Sequence, residues 1–219
     1  MQPMTCIICV RNGENLLAEA LASADAALGP DDDLLVIDDA STDRSGEIAA
    51  TTLNRPVRVI SIARAGIAGA RNAGLTKART EVIAFLDHDD LWDADGLAAL
   101  RSGLAERPHA DGIFGERRDV FADDSIAKPL PGPPQARLLI AGIFRKKVFD
   151  RIGHLTDQYP DYAEVDWMMK ASDEGAVFPH LPALFLIRRI HAANNSWSKS
   201  PDTLLELMAS RHTRLRNSS

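Results

Sequence analysis

Two acidic clusters stand out in the sequence because each directly follows a short apolar run. An Asp pair at 38–39 follows residues 34–37, and the tetrapeptide Asp-His-Asp-Asp at 87–90 follows residues 81–86. Crowded carboxylates repel one another unless a cation or hydrogen-bond donors compensate. Their oxygens suit a hard ion such as Mg²⁺ or Mn²⁺, which in proteins often binds phosphates as well. Because Asp is also common in turns and helix caps, a lone pair favours a solvated turn, whereas 87–90 favours a metal site.

A third candidate is the segment 66–74, which is rich in Gly and Ala and contains Arg71. Small residues let a backbone approach a ligand closely, and a helix that begins there would favour phosphate at its N-terminus. Close packing of a helix on a sheet explains the same composition equally well.

Alternating apolar strands and helices must position these residues. The first half of the chain predicts four strands, at 5–11, 34–37, 57–62 and 81–86. It also predicts helices at 15–28, 66–77 and 94–106. A further helix would begin at a cap formed by Ser41 or Thr42 and continue through residue 53. Such alternation is typical of an α/β protein with a mainly parallel sheet flanked by helices. Ligands bind beyond the carboxyl ends of parallel strands. We therefore expect residues 11–12, both acidic clusters and Arg71 to share one crevice.

The second half of the chain is less regular. We expect strand structure over 111–121 and 183–190, helices at 145–152 and 163–174, and a proline-rich loop at 129–134. Ser200-Pro201 is a typical helix start, and the helix that follows ends in a basic stretch at 211–216. The sequence shows no internal repeat and no second autonomous unit, so it predicts a single domain.

Composition restricts the function classes and partners. The 219 residues carry a net charge of −6, which argues against a nucleic-acid partner because such proteins usually present a basic face. No apolar run approaches the roughly 20 residues of a membrane span. The first residues lack a signal-peptide pattern, so we expect a cytoplasmic protein. The basic stretch at 211–216 would allow peripheral contact with a membrane of anionic lipids, although a solvated helix end explains it more simply.

Cys6 and Cys9 form a lone C-x-x-C, a spacing that occurs in redox pairs and zinc sites. They lie inside the apolar, β-branched run 5–10. Side chains three residues apart on a strand point to opposite faces, and a second pair of metal ligands is missing. We therefore predict that both cysteines are buried in the core.

Several segments together resemble the motifs of family 2 glycosyltransferases, which have the GT-A fold. These segments are Ile-Ile-Cys-Val-Arg-Asn at 7–12, Val-Ile-Asp-Asp-Ala-Ser-Thr-Asp at 36–43, Ala-Arg-Asn-Ala-Gly at 70–74 and Ala-Phe-Leu-Asp-His-Asp-Asp-Leu-Trp at 84–92, with acceptor-side motifs at 144–153, 164–175 and 189–196. The resemblance implies one Rossmann-like GT-A domain. Residues 1–110 would form its nucleotide-sugar-binding half, and residues 111–219 would form its acceptor-side half.

The resemblance also implies an inverting transferase with help from Mn²⁺ or Mg²⁺. It would move a sugar from a nucleotide-sugar donor, usually UDP-linked, to the hydroxyl of a glycan, a lipid-linked molecule or a small molecule. Asp39 matches the family's base-binding aspartate. Asp87 and Asp89 match the D-x-D motif, with Asp89 as the direct metal ligand and Asp87 also on the donor side. Arg71 and His191 match residues that approach the donor or its diphosphate.

Two positions depart from the family pattern. Where the family has an aromatic residue that stacks on the base, this chain has Arg11, followed by Asn12, and a guanidinium can also stack on a planar base. The family's later Glu-Asp pair corresponds here to Ala163 and Glu164, so Glu164 is the candidate general base. The pattern at 161–164 also fits a capping box, in which Glu164 would bond the helix backbone instead.

Asp166 is the alternative base. Residues two apart on a helix point about 200° apart, so only one of Glu164 and Asp166 would face the crevice, and the alignment favours Glu164.

Two other functions stay open. One is a catalytically impaired nucleotide-sugar-binding module of the same fold. The other is an α/β phosphotransferase or nucleotidyltransferase, for which the sequence lacks a P-loop lysine motif.

Overall fold

The computed structural model describes residues 1–121, 137–191 and 201–217. Within these ranges eight strands form one sheet: β1 (Met4–Val10), β2 (Asp33–Asp39), β3 (Arg58–Ile62), β4 (Val82–Asp87), β5 (Leu91–Trp92), β6 (Gly112–Phe121), β7 (Gly142–Arg145) and β8 (His180–Ile190). The helices are α1 (Leu17–Ala27), α2 (Ser45–Thr51), α3 (Gly66–Lys77), α4 (Ala94–Ala105), α5 (Lys147–Ile152), α6 (Ala163–Asp173) and α7 (Pro201–Asn217).

The sheet is mixed, with the strand order β3-β2-β1-β4-β7-β6-β8-β5. β1 pairs in parallel with β2 and β4, and β3 extends this parallel half beyond β2. β7 runs antiparallel to both β4 and β6, whereas β8 runs parallel to β6 and β5 antiparallel to β8. Only β5 and β7 oppose the common direction of the described strands, so the predicted mainly parallel α/β sheet is confirmed.

The strands of the parallel half are continuous apolar runs because they lie inside the core. Every residue of β1 is buried, as is every residue of β4 before Asp87. Phe149 on α5 meets Phe85 on β4 edge to face at 5.8 Å and stacks on Trp167 of α6 at 4.5 Å. One apolar cluster thus includes residues from both halves of the chain, which agrees with the prediction of a single domain.

Cys6 and Cys9 lie in this core with free thiols, as predicted. Burial raises the pKa of the Cys9 thiol to about 12, although the nearby charge of Arg71 opposes that rise. Burial also raises the pKa of Cys6. Both thiols are therefore protonated at neutral pH.

The sequence did not predict two short strands. β5 has two residues and β7 has four, and both are defined by partners far away in the chain. Because Gly142–Arg145 forms β7, the helix expected from 145 begins only at Lys147.

The predicted cap of α2 at Ser41 or Thr42 is wrong. The helix begins at Ser45, and Arg44 occupies the N-cap position. The Ser41 hydroxyl instead accepts a hydrogen bond from the backbone N–H of Asn12 at 3.1 Å. The Ser41 side chain therefore bonds a residue that is distant in the chain, whereas the local pattern predicted that it would cap the helix.

The C-terminal helix α7 packs beside α6. Leu207 is buried against Tyr159 and Tyr162, and Arg211 forms an ion pair with Asp173 of α6 at 2.6 Å. Among the described helices, none combines the length and the apolar character needed to cross a membrane. The proline-rich loop at 129–134 and the predicted cap at Ser200 lie outside the described residues.

Candidate functional site

The carboxyl ends of β1, β2 and β4 lie side by side, and polar residues follow each of them. In the sheet register Cys9 pairs with Asp87 and Val10 with Asp38. A cleft of about 650 Å³ opens at this edge, and the predicted site residues that line it are Arg11, Asn12, Asp39, Asp89 and His191. The cleft thus brings together part of the predicted set, whereas Arg71 and Asp87 do not line it.

A smaller cavity of about 300 Å³ lies at the amino-terminal edge of the sheet, where Arg101 and Arg145 contribute to its wall. Arg101 is bonded to Asp32, and Arg145 is bonded to backbone carbonyl oxygens. Since these guanidinium groups are already engaged in structural contacts, the larger cleft is the better candidate for ligand binding.

The acidic cluster consists of Asp87, Asp89 and Asp90. Each offers a carboxylate oxygen, and these oxygens lie within 4.8 Å of one another. Asp90 is buried, and its burial together with repulsion from Asp87 and Asp89 raises its pKa to about 8. Three convergent carboxylates that repel one another form an oxygen donor set of the kind that a hard divalent cation prefers.

Arg71 connects this cluster to the second half of the chain. Its guanidinium donates one hydrogen bond to Asp87 at 2.9 Å and another to Glu164 at 3.1 Å. The Arg71 residue is only 4% exposed. Burial lowers the pKa of Arg71, but the carboxylates of Asp87 and Glu164 outweigh that effect and hold the pKa above its usual range. Arg71 is thus a buried cation between two carboxylates.

The two candidate bases on α6 have different surroundings. Glu164 accepts hydrogen bonds from Arg71 and from the backbone N–H of Leu139, so these distant groups engage it in place of the helix backbone expected from a capping box. Asp166 is buried and forms an ion pair with Lys170 at 2.6 Å. Neither carboxylate lines the cleft, but Glu164 is separated from Asp87 by a single guanidinium group.

Asp39 lies at the N-terminus of α3. Its carboxylate accepts hydrogen bonds from the backbone N–H groups of Ala65 at 2.5 Å and Gly66 at 3.0 Å, and from the side chain of Arg64 at 3.1 Å. An anionic group is stabilised at a helix N-terminus. Gly66 has a φ of +71°, which favours glycine. Asp39 therefore fixes the start of α3 and also lines the cleft.

Asn12 shapes the turn after β1. Its φ is +52°, and its side-chain oxygen accepts a hydrogen bond from the backbone N–H of Thr42 at 2.8 Å. This contact joins the turn after β1 to the loop after β2. Arg11, next to it, is exposed and lines the cleft.

Gly13 marks a close approach between this turn and the acidic loop. A Cβ atom at Gly13 would stand 2.3 Å from the His88 ring and 2.8 Å from Val10. The backbone N–H of Gly13 donates to the hydroxyl of Ser45 at 2.9 Å. The absence of a side chain at Gly13 therefore lets His88 line the cleft.

His191 directly follows β8, and its Nε2 atom lies 3.1 Å from a carboxylate oxygen of Asp89. The strand brings this residue next to the acidic cluster from 102 positions away in the chain. The remainder of the motif at 189–196 lies outside the described residues from 192 onwards.

The profile described as glycosyl transferase family 2 matches residues 5–166, which is most of the chain. The chain belongs to glycosyl transferase family 2.

The chain is also similar to a named relative and to solved structures. Hyaluronan synthase of Pasteurella multocida is 30% identical over 201 residues, which cover 86% of this chain and 20% of that protein. The structure of S. aureus TarS 1-349 in complex with UDP-GlcNAc has a TM-score of 0.76 and 21% identity, and covers 95% of this chain and 64% of that one.

The mannosyltransferase PcManGT from Pyrobaculum calidifontis, in complex with GDP-Man and Mn²⁺, has a TM-score of 0.68 at 19% identity over 87% of this chain and 58% of that one. This chain spans a fifth of the length of the hyaluronan synthase and less than two thirds of each of these solved chains. The structural likeness confirms the GT-A fold.

Several residues at the site of this family 2 chain were not singled out from the sequence. Arg64 pairs with Asp39, and Asp157 and Asp161 line the cleft from the second half of the chain. Arg189 contacts the acidic loop. Arg64, Asp157 and Asp161 lie outside the family motifs, and Arg189, although it opens the motif at 189–196, has its partners far away in the chain. These contacts therefore become visible only when the chain is folded.

Proposed function

We propose that this chain is an inverting glycosyltransferase that moves a sugar from a UDP-linked donor to an acceptor hydroxyl. The observation that carries the proposal is that Asp39 and Asp89 line one cleft at the carboxyl edge of the sheet, and that Asp89 belongs to the acidic cluster. These two features suit the two parts of a nucleoside diphosphate. The base can donate a hydrogen bond to the Asp39 carboxylate. The diphosphate needs a compensating cation, which the acidic cluster would hold. The complex of TarS with UDP-GlcNAc supports UDP as the donor nucleotide.

The two halves of the domain would take different parts of the reaction. The segments after β1, β3 and β4, together with Asp39 at the end of β2, line most of the cleft. They would bind the donor, with Arg11 against the base. Asp157, Asp161 and His191 enter the cleft wall from the second half. We assign residues 1–110 to the donor and residues 111–219 to the acceptor side.

The residues of the acidic cluster fit a resident Mn²⁺ or Mg²⁺ ion. Asp89 and Asp87 would hold it, and Asp90 would support them from its buried position. When bound, the ion would supply positive charge that stabilises the departing diphosphate. The complex of PcManGT with Mn²⁺ supports this assignment. Arg71 contributes a fixed positive charge beside Asp87 whether or not an ion is bound.

Glu164 is the better general base of the two candidates. Each of its carboxylate oxygens accepts one hydrogen bond, so each retains a lone pair for an acceptor hydroxyl. The hydroxyl oxygen would bond to the anomeric carbon while its proton passes to Glu164 and the bond from that carbon to the diphosphate breaks. Asp166 is held by Lys170 and buried, so we do not assign the proton transfer to it.

The test is the variant Glu164→Gln, with UDP release from UDP-sugars measured in the presence of Mn²⁺ and with UDP binding measured by calorimetry. The amide keeps the shape of the side chain and can still accept the Leu139 hydrogen bond, but it cannot accept a proton. We expect turnover to fall by about 10²–10⁴-fold, with UDP affinity retained. Asp166→Asn and Asp161→Asn are the controls, one from the buried side of α6 and one from the cleft wall.

A loss of turnover in Asp161→Asn but not in Glu164→Gln would transfer the role of base to the cleft wall. Retained turnover in all three variants would contradict a carboxylate base on this side of the cleft. UDP binding without turnover on any UDP-sugar would favour a nucleotide-sugar-binding module. The departure from the family pattern at Ala163 and Glu164 is the observation that keeps this second function open.

A further inference from the structure

Arg189, near the end of β8, is the point at which three parts of the chain meet. Its Nε atom donates a hydrogen bond to the backbone carbonyl of Asp89. Its two terminal nitrogens donate to Glu19 on α1 at 2.5 Å and to the carbonyl of Leu16 at 3.2 Å. The Arg189 side chain is 14% exposed, so one guanidinium joins the acidic loop, α1 and β8 in a largely buried position.

The backbone of Arg189 makes a second connection to the same loop. Its N–H group donates to the carboxylate of Asp90 at 2.9 Å. Two residues later, His191 lies 3.1 Å from the carboxylate of Asp89. Residues 189–191 therefore contact both Asp89 and Asp90. Arg189 makes two of the three contacts, one through its side chain and one through its backbone N–H group.

This arrangement opposes the repulsion that remains in the loop after Arg71 has paired with Asp87. The carboxylates of Asp87, Asp89 and Asp90 converge within 4.8 Å, and like charges at that separation favour a loop that opens. A hydrogen bond to the Asp89 carbonyl fixes the loop without using the carboxylate oxygens that would bind a cation. A planar guanidinium can serve three acceptors in fixed directions, which a lysine ammonium cannot reproduce.

We propose that Arg189 is a positioning residue for the metal-binding loop and holds Asp89 and Asp90 in place for Mn²⁺ and the donor diphosphate. The proposal rests on the proposed function only where it concerns Mn²⁺ and the donor diphosphate. The hydrogen bonds from Arg189 fix the loop in the protein without either ligand. Arg189 lies outside the metal donor set and acts on it through the backbone of Asp89.

The test compares Arg189→Lys with Arg101→Lys. Arg101 is a matched control because its side chain is 12% exposed and bonds a carboxylate, Asp32, and a backbone carbonyl, that of Gln2, near the amino ends of β1 and β2. Mn²⁺ binding is measured by electron paramagnetic resonance, with and without UDP. Hydrogen–deuterium exchange of residues 87–91 and the melting temperature are measured on the same samples.

We expect Arg189→Lys to weaken Mn²⁺ binding by about 10–100-fold, the usual effect of losing a residue that orients metal ligands, and to accelerate exchange at 87–91. Arg101→Lys should lower the melting temperature but leave Mn²⁺ affinity and exchange at 87–91 unchanged. Equal Mn²⁺ affinity and equal exchange in Arg189→Lys and wild type would overturn the proposal, and so would equal effects of the two variants on both measurements.

The exchange measurement separates this proposal from the proposed function. If the wild-type protein binds no Mn²⁺ with or without UDP, the metal component of the proposed function fails. Faster exchange at 87–91 in Arg189→Lys alone would then still support the positioning of the loop, and unchanged exchange would refute it.

Discussion

Arg71 offers the sharpest test of how the site is built, because a single substitution changes the balance of three charges. Arg71→Met keeps much of the side-chain volume and removes the positive charge. It leaves Asp87 and Glu164 facing each other without the guanidinium that now bonds both. Their side chains are only 29% and 21% exposed, so water can compensate for the lost partner only in part.

The expected loss of stability follows from this burial. Removing one partner of a fully buried ion pair costs about 3–5 kcal/mol. Because both carboxylates retain some contact with water, we expect the lower end, about 3 kcal/mol of unfolding free energy. At about 2–4 °C per kcal/mol for a domain of this size, the melting temperature should fall by about 6–12 °C.

A double variant gives the experiment its specificity. Glu164→Gln removes one of the two uncompensated charges, so Arg71→Met combined with Glu164→Gln should be more stable than the sum of the single effects predicts. The expected coupling lies within the range of about 0.5–3 kcal/mol found for contacting residues. Urea unfolding of the wild type, both single variants and the double variant measures it. A loss below about 1 kcal/mol for Arg71→Met, or strictly additive effects, would refute the buried bridge.

Two further variants test other parts of the structure. Gly13→Ala places a Cβ atom 2.3 Å from His88, so it should lower the unfolding free energy by about 1–3 kcal/mol and weaken UDP binding. Gly29→Ala, where the new atom makes an ordinary 3.4 Å contact, should not affect UDP, and equal UDP affinity in both variants would contradict the close approach. For Cys9 the pKa rises from 9.0 to about 12 on folding, so the unfolded thiol releases its proton first and stability falls as pH rises through this window. Relative to Cys9→Ala, the wild type should lose up to about 1.4 kcal/mol per pH unit above pH 9 in urea unfolding, and parallel pH profiles would contradict the buried thiol.

The parallel half of the fold could be predicted because its signals are local. β1, β2 and β4 are apolar runs bounded by polar residues. The segment of small residues predicted a helix over 66–77, and α3 spans these residues. Since parallel strands end at one edge, the placement of the acidic clusters at that edge followed from the predicted strand direction alone. The two-residue β5 carries too short a pattern to be recognised.

Contacts between distant residues could not be predicted in the same way. Glu164 fits a local capping box, but it bonds Arg71, which is 93 positions away. Ser41 fits a helix cap, but it bonds Asn12, which is 29 positions away. The contact of Arg189 with Glu19 spans 170 positions. For Glu164 and Ser41 a tertiary partner has replaced a local one, and periodicity contains no information about any of these distant partners.

The central claim is that the cleft binds a nucleoside diphosphate together with a divalent ion held at Asp89. Calorimetric titration of UDP with and without Mn²⁺ tests it most directly in wild type, Asp89→Asn and Asp93→Asn. Asp93 lies close by in the chain but caps α4 through the backbone N–H of Gly96, so its variant controls for a general loss of charge. We predict that Mn²⁺ strengthens UDP binding in wild type and in Asp93→Asn but not in Asp89→Asn. UDP affinity that is independent of Mn²⁺ in wild type, or equally enhanced by Mn²⁺ in Asp89→Asn, would contradict the account.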